Sequence, residues 1–317
     1  MEVSERANGV SFSETGDSEQ DEKLLQPFTH ILKASCVGIR AKFIQGFNYW
    51  LKLPADKLAL LQEVFEIYHV GGLVFDDIQD NSFMRRGVPT AHRVYGLAST
   101  ISAALYVYFL ALQKVLRFNH PEMVKLYIEM NVESWRGQAL DVYWRDNYIC
   151  PSEEEYMEMI TRKTAGGFKF GVQIVQLFSE NKADLTKVAE LLGQYFQIRD
   201  DYCSLCLHQY SQKKGYLEDI TEGKFSFPII HAINSRPDDN QVLSILRQRT
   251  EDVELKKYCL TLLENFGSLR YTRHTLEKID AELRAEIAKL GGNPILEDVM
   301  DQMLNWKNGT SGKHTEE

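Results

Sequence analysis

The sequence has few residues that would divide the chain into separate domains or mark the protein for secretion. Only 8 prolines occur among 317 residues, and no stretch rich in proline, glycine and serine separates two halves. The polar N-terminus has no apolar segment resembling a signal peptide, and the number of cysteines, five, is odd. We therefore expect a cytoplasmic protein with one domain over residues 23–307, between disordered tails at 1–22 and 308–317.

Long apolar runs and an excess of positive charge are also missing. The longest apolar run, residues 101–112, is shorter than the roughly 20 residues that span a bilayer. It predicts a buried core helix and no stable membrane insertion. The formal net charge is -9, which repels nucleic-acid phosphates and argues against a DNA or RNA partner. An anionic substrate would need local lysine, arginine or metal ions to overcome this background.

Helical periodicity, in contrast, is present along most of the chain. Apolar residues recur at steps of three and four, as in Leu58, Leu61, Val64, Phe65 and Tyr68. Runs of β-branched residues with regularly spaced turns, which would indicate a sheet, are scarce. The pattern predicts an all-α fold in which these stripes form core faces.

Two of the apolar segments end in paired aspartates. The first reads Gly71-Gly-Leu-Val-Phe-Asp-Asp-Ile-Gln-Asp80, and the second contains Asp200 and Asp201. Asp76 and Asp80 of the first segment would share a helix face, where like charges repel unless a cation neutralises them. Sites built only from oxygen ligands suit Mg²⁺. One acidic triplet is more often a solvated helix end, but the repetition predicts two metal-bearing walls across one cavity.

Basic residues lie near both aspartate clusters in the sequence. Each one alone is most often a solvated surface charge, but together they predict a site for a diphosphate. With Mg²⁺, they would stabilise the charge that develops on a leaving diphosphate. The residues are Arg85, Arg86, Lys163, Lys213, Lys214 and Lys224.

In four motifs the sequence resembles the trans-isoprenyl diphosphate synthases, and specifically the animal geranylgeranyl diphosphate synthases. The resemblance covers about residues 25–306 and implies an isoprenoid synthase helical bundle around a deep apolar cavity. It also implies Mg²⁺ as cofactor, a prenyl diphosphate as substrate, and a homodimer or higher homo-oligomer. The motifs are Asp76-Asp-Ile-Gln-Asp80-Asn-Ser with Arg85-Arg-Gly, Gly137-Gln-Ala-Leu-Asp141-Val-Tyr-Trp-Arg-Asp-Asn, Phe196-Gln-Ile-Arg-Asp-Asp-Tyr, and Glu218-Asp-Ile-Thr-Glu-Gly-Lys-Phe-Ser-Phe-Pro228.

The resemblance also implies roles for individual residues in the ionising half of the site. Mg²⁺ would be held by Asp76, Asp80 and Asp200, with Asp77 and Asp201 in support. The implied catalytic residues are Asp76, Asp77, Asp80, Lys163 and Asp200. The residues implied to bind the allylic diphosphate, or to lie next to it, are Arg85, Lys163, Thr164, Gln197, Lys214 and Lys224. The apolar pocket for the resulting cation would be lined by residues such as Phe75, Tyr106 and Phe168.

The other half of the site, for isopentenyl diphosphate, departs from the family's pattern. Arg40, His69 and Arg86 match it, but Val37 stands where the family has a lysine. Hydrogen bonds to charged groups are worth roughly 1.5–3 kcal/mol, so this loss would weaken binding about tenfold to a few hundredfold. A further departure is Ser204, which replaces the usual third residue of the second aspartate motif.

Three functions are compatible with these residues. The first is a terpene synthase that ionises geranyl or farnesyl diphosphate and releases an acyclic or cyclic hydrocarbon. The second is a geranylgeranyl diphosphate synthase, in which either Arg40, His69 and Arg86 suffice for the second substrate, or Lys33 or Lys42 substitutes for the lysine missing at position 37. The third is a non-catalytic partner subunit, which the intact aspartate motif and lysines argue against. Substrate length stays open, because Gly71 and Gly72 leave room in the cavity that Tyr68 and Trp135 would fill.

Overall fold

A computed structural model describes residues 18–34, 39–207, 210 and 215–310, without the side chains of residues 18, 39, 40 and 308–310. It confirms the all-α fold. In chain order the α-helices are α1 (Ser18–Leu24), α2 (Gln26–Lys33), α3 (Ile39–Leu51), α4 (Ala55–Gln79), α5 (Ala91–Tyr95), α6 (Leu97–Leu116), α7 (Pro121–Asn147), α8 (Glu153–Ile160), α9 (Gly166–Phe178), α10 (Thr186–Cys206), α11 (Glu218–Glu222), α12 (Phe227–Ser235), α13 (Gln241–Arg247), α14 (Val253–Asn265), α15 (Ser268–Lys289) and α16 (Pro294–Met303).

Three short elements lie between or after these helices. The strands β1 (Met84–Arg85) and β2 (Val88–Pro89) form an antiparallel hairpin directly after α4. A π-helical turn, Thr161–Ala165, connects α8 to α9, and a 3₁₀ turn, Leu304–Thr310, follows α16. Single π-helical turns are frequent at functional sites, so the turn after α8 is a first indication of where the site lies.

The core forms where the long helices pack side by side. Helix α4 packs along α6, α10 packs along α15, and α7 and α10 both contact the π-helical turn. Leu61 and Val64 of the predicted stripe in α4 are fully buried, while Leu58, Phe65 and Tyr68 pack against the core from its edge. The predicted stripe is therefore a core face.

The first described helix begins before the predicted domain boundary at residue 23. Helix α1 starts at Ser18. Asp21 in this helix is buried, and its carboxylate accepts a hydrogen bond from Tyr106 at 2.7 Å. The polar composition predicted a tail through residue 22, because composition carries no information about a long-range contact such as this one. The 3₁₀ turn likewise continues to Thr310, beyond the predicted boundary at 308. Residues 1–17 and 311–317 lie outside the described residues.

Helices α4 and α6 are each long and apolar enough to cross a membrane by length and composition, and α6 is longer than the predicted run at 101–112. One face of α6 is buried in the core. Its opposite face exposes large apolar side chains, and two more are exposed on α7. We call this set the apolar stripe; it comprises Leu97, Ile101, Leu105, Phe109 and Leu116 of α6 with Ile128 and Val132 of α7.

Candidate active site

The first aspartate cluster occupies the last turn of α4, at the negative end of the helix dipole. Carboxylates are disfavoured there unless cations compensate them. Arg85, on the hairpin that follows, donates from Nε to Asp77 at 2.6 Å, and its Nη2 lies 3.0 Å from Asp76. Asp77 is only 1% exposed, so it does not reach a substrate directly. Asp77 anchors Arg85, which fits the supporting place that the resemblance implied, and its catalytic role stays a prediction.

Asp80 closes the first cluster and pairs with Arg145 near the end of α7. Arg145 also donates to the main-chain oxygen of Gln79 at 2.9 Å, which satisfies one of the carbonyls left free at the end of α4. Burial, followed by the like charge of Asp76, raises the pKa of Asp80 to about 7. The two carboxylates therefore form a site that favours added positive charge.

Helix α7 supplies a row of polar side chains that face the first cluster. Gln138 donates to Asp76 at 3.2 Å, and Asp141 accepts from Lys163 at 2.7 Å. With Arg145 they follow the spacing of three and four residues that places side chains on one helix face. The sequence prediction missed these three residues. Their helical spacing within one motif is the signal that could have found them.

The π-helical turn carries Lys163 and Thr164 into the site because two glycines let it approach the neighbouring helices. A Cβ atom on Gly137 of α7 would lie 2.6 Å from the main-chain nitrogen of Lys163. A Cβ atom on Gly193 of α10 would lie 2.4 Å from Cα of Ala165. These contacts are too short for any side chain, so the backbone of the turn is clamped on both sides.

The second aspartate cluster, on α10, is organised around the fully buried Asp201. Its carboxylate accepts hydrogen bonds from Lys224 at 2.9 Å, from Gln197 at 3.0 Å, from the main-chain nitrogen of Phe227 at 2.9 Å and from the Tyr156 hydroxyl. All of its acceptor positions are engaged with protein donors. This arrangement fits the supporting role that the resemblance implied for Asp201, which stays a prediction.

Asp200, the neighbour predicted to hold a metal, is partly buried and lies close to Lys224. Burial opposes the charge on Lys224, but the carboxylates of Asp201, Asp219, Asp141 and Asp200 raise its pKa well above the usual value. Burial also opposes the charge on Lys163, whose pKa is raised by Asp141 and Asp76, and Lys224 lies near enough to work against that rise. Lys163 of the first wall and Lys224 of the second wall are thus close enough to influence each other's charge, which agrees with two walls that face each other.

Three smaller groups complete the predicted site. Thr164 donates to the side-chain oxygen of Gln197 at 2.8 Å, which links the π-helical turn to the second wall. Ser204 is buried and donates to Asp219 at 2.5 Å. His69 and Arg86 approach to 3.4 Å, so these two residues of the implied isopentenyl diphosphate half are brought together. Val37, Lys214 and the side chain of Arg40 lie outside the described part of the chain.

Aromatic rings lie behind the first aspartate cluster. We call Tyr68, Phe75, Tyr108 and Trp135 the aromatic cluster. The ring of Trp135 lies 5.2 Å from that of Phe75 and 5.8 Å from that of Tyr108, which lies 5.6 Å from that of Tyr68. These are favourable separations for aromatic pairs. The cluster reaches the first aspartate cluster through Phe75, which directly precedes Asp76 in α4.

Two glycines of α4 admit these rings. Side chains at Gly71 and Gly72 would begin 3.2 Å and 3.4 Å from atoms of Tyr108. Phe168 also lies among apolar rings, 5.0 Å from that of Phe43. Tyr106, predicted to line the pocket, instead bonds to Asp21. This prediction is wrong because residues two apart on a helix point to nearly opposite sides, and Tyr108 is the one that joins the aromatic cluster.

The described residues contain no group of three His, Cys, Asp or Glu side chains placed to hold a metal ion. Asp76 and Asp80 still fit Mg²⁺, which is usually held by one or two carboxylates together with water and substrate phosphates. Burial, and after it the repulsion from Asp76, raises the pKa of Asp80, and a divalent cation would relieve that repulsion. The residues present are thus suited to the ion.

Comparisons with known proteins agree with this geometry. The polyprenyl synthetase family matches residues 21–263. A protein of Matsumurasca onukii named terpene synthase is 59% identical over 92% of this chain and 96% of its own length. Geranylgeranyl pyrophosphate synthases of Mucor circinelloides f. lusitanicus and Dictyostelium discoideum are each 42% identical, over 92% and 90% of this chain and 96% and 95% of theirs. The chain is therefore a member of the polyprenyl synthetase family of isoprenoid enzymes.

Proposed function

We propose that the protein is a terpene synthase that ionises geranyl or farnesyl diphosphate with the help of Mg²⁺. The carbon–oxygen bond to the diphosphate breaks, and the bonding electrons leave with the diphosphate. The allylic cation then transfers a proton to the released diphosphate, with or without prior ring closure, and a terpene hydrocarbon is released.

The arrangement around Asp76 is the observation that carries the ionisation step. Arg85 lies 3.0 Å from its carboxylate, Gln138 donates to it at 3.2 Å, and Lys163 lies 3.7 Å away. Arg85 and Lys163 provide cationic donors beside the carboxylate, and Lys224 adds a third cation from the opposite wall. Together they would bind a diphosphate and hold it as charge builds on the leaving oxygen.

Mg²⁺, held by Asp76 and Asp80 with Asp200 on the facing wall, would neutralise the diphosphate as it leaves. Arg145 and Lys163 would keep the carboxylate groups oriented toward the cavity. Gln138 would fix the rotamer of Asp76 through its hydrogen bond. Asp201 would hold Lys224 and, through Gln197, Thr164 in place.

The aromatic cluster supports the fate proposed for the cation. Its rings exclude water, which would otherwise capture the cation, and their negative faces stabilise positive charge. Gly72 lies one helical turn before Asp76, about 5–6 Å along the axis, and Tyr108 packs against it. This close boundary suits a short prenyl chain.

The choice of a terpene synthase over a chain-elongating enzyme rests on two further observations. The relative named terpene synthase is 59% identical, against 42% for the geranylgeranyl pyrophosphate synthases. Val37 also removes a positive charge that the second substrate normally uses. The chain-elongating function stays a second candidate, because His69 and Arg86 are in place and 3.4 Å apart.

One assay distinguishes the candidates. The protein is incubated with Mg²⁺ and geranyl or farnesyl diphosphate, with and without isopentenyl diphosphate, and volatile and acid-hydrolysed products are analysed by gas chromatography. Hydrocarbon formed without isopentenyl diphosphate supports a terpene synthase. Longer diphosphates alone, formed only with isopentenyl diphosphate, would identify a chain-elongating enzyme. No turnover in either mixture would favour a partner subunit.

A variant at position 37 tests the second half of the site. Val37→Lys restores the missing charge and should raise chain elongation about tenfold or more, since one charged hydrogen bond is worth roughly 1.5–3 kcal/mol. Val37→Leu, which changes only the apolar shape, is the matched control. Equal elongation by the two variants would remove the argument from the missing lysine.

We further propose that the protein is a homodimer joined through the apolar stripe. Leu97, Ile101, Leu105 and Phe109 follow one another at four-residue steps and are 54%, 41%, 53% and 59% exposed. A contiguous exposed apolar surface of this kind marks an interaction site. A second copy with the same stripe is a suitable partner, since a two-fold axis pairs one surface with itself.

A further inference from the structure

A chain of alternating charges runs from the protein surface to the first aspartate cluster. Arg249 donates to Oδ1 of Asp146 at 2.7 Å, and Arg145 donates from Nε to the same oxygen at 3.0 Å. Arg145 then pairs with Asp80. Arg249 is thus connected to a proposed metal ligand through two intervening side chains, although it lies outside the cavity.

The stem of Arg249 also lies beside the segment that carries the second wall's lysine. A Cβ atom on Gly223 would lie 3.3 Å from both Cγ and Nε of Arg249. The residue after Gly223 is Lys224, which binds Asp201 at 2.9 Å. Next to this contact, the Thr221 hydroxyl donates to the main-chain oxygen of Thr250 at 3.2 Å. Arg249 therefore bonds to a support of the first wall and lies next to the segment that carries Lys224 of the second.

The backbone at Arg249 is held in an unusual conformation. Its φ is +46°, a region that residues other than glycine rarely adopt. Its main-chain nitrogen donates to Leu246 at 3.1 Å, which ends α13. Such conformations persist where the surroundings determine them, and they concentrate near functional sites. The conformation directs the side chain of Arg249 back across Gly223 toward Asp146.

Stability alone is a poor explanation for this arrangement. The side chains of Arg249 and Asp146 are 40% and 49% exposed, and ion pairs with that exposure contribute little to folding. Their geometric effect is larger, because Asp146 orients Arg145, and Arg145 orients Asp80. Residues that orient the ligands of a metal typically change metal affinity or activity by roughly 10–100-fold when they are replaced.

We propose that Arg249 is a positioning residue that fixes the placement of Asp80 relative to Lys224 across the cavity. This inference rests on the proposed function, since it assumes that the two walls bind a metal–diphosphate group together. It assigns to Arg249 an effect on Mg²⁺ use without any contact between Arg249 and the substrate.

The test measures the Mg²⁺ concentration that gives half-maximal thermal protection by inorganic diphosphate, together with the melting temperature without either ligand. Arg249→Ala should raise that concentration about three- to tenfold, below the roughly 10–100-fold expected for direct partners of ligands. The ligand-free melting temperature should stay close to that of the wild type. Arg249→Lys, which keeps the charge near Asp146, should recover part of the loss. Arg247→Ala, which removes a neighbouring exposed arginine, should have no effect.

Each outcome bears on the proposal. An unchanged Mg²⁺ requirement in Arg249→Ala overturns the proposal. An equal loss of melting temperature in this variant with and without ligands also overturns it, because that result would indicate a purely structural role. Protection of the wild type that is absent at all Mg²⁺ concentrations also overturns it. A shifted Mg²⁺ requirement in a protein that makes no hydrocarbon would support the positioning role and reject only the proposed terpene synthesis.

Discussion

The ammonium group of Lys163 lies 3.7 Å from the carboxylate of Asp76, although 86 residues separate them along the chain. Burial opposes the charge on Lys163, but Asp141 and Asp76 raise its pKa, so the lysine is charged at neutral pH. A diphosphate that enters beside Asp76 would therefore meet a cation already in place. This contact joins the π-helical turn to the end of α4.

Asp76→Ala should abolish the release of diphosphate from geranyl or farnesyl diphosphate. The change removes the carboxylate that contacts Arg85, Gln138 and Lys163, and with it the main proposed metal ligand. We expect a loss of activity of about a hundredfold or more, as for other groups that stabilise developing charge. Asp56→Ala, an exposed aspartate at the start of the same helix, is the control. Retained turnover in Asp76→Ala would refute the metal assignment.

Asp80→Asn should change how stability depends on pH when no metal is present. The folded pKa of Asp80, about 7, lies above its unfolded value near 3.8, so the folded protein binds more protons between these pH values. Wild-type stability should therefore fall as pH rises from about 4 to 7, by up to about 4 kcal/mol from this group.

The asparagine variant lacks this contribution. In urea unfolding at several pH values, the free energy of unfolding of the variant should therefore rise relative to that of the wild type up to pH 7. Added Mg²⁺ should restore the stability of the wild type, and most strongly at high pH. A constant difference between the two proteins across pH 4–8 would contradict the raised pKa.

Gly137→Ala should lower both stability and activity. The new methyl carbon would lie 2.6 Å from the main-chain nitrogen of Lys163, so the π-helical turn must move. Overpacking of this kind typically costs about 1–3 kcal/mol. Gly167→Ala is a sharp control, because nothing lies within 4 Å of its Cβ position in α9 and alanine favours a helix. Thermal unfolding should show a loss for the first variant and no loss for the second; equal effects would contradict the clamp.

Trp135→Ala should lengthen the prenyl chain that the enzyme accepts. Removal of this ring opens space beside Phe75 and Tyr108 at the hydrocarbon side of the cavity. The ratio of kcat/KM for farnesyl over geranyl diphosphate should rise about tenfold, within the range that apolar pocket contacts supply. Tyr143→Ala, an exposed aromatic residue on the same helix, should leave the ratio unchanged. No change in the ratio for Trp135→Ala would exclude the aromatic cluster as the boundary.

Leu105→Asp should separate the proposed dimer into monomers. It places a charge in the middle of the apolar stripe, where burial without a partner costs several kcal/mol. Light scattering coupled to gel filtration gives the mass directly. Val253→Asp alters an exposed apolar residue on α14, away from the stripe, and should keep the wild-type mass. A monomeric wild type, or a dimeric Leu105→Asp variant, would contradict the assignment of this surface.

The sequence by itself determined the all-α fold, the two aspartate clusters and the family, because helical periodicity and contiguous motifs are local properties of the chain. It did not show that Asp77 is buried against Arg85, or that Tyr108 rather than Tyr106 faces the site. It also gave no role to Gln138, Asp141 and Arg145. Those features depend on which helix faces meet and on how closely the backbones approach, as at Gly137. Long-range packing decides such contacts, and only the tertiary structure contains it.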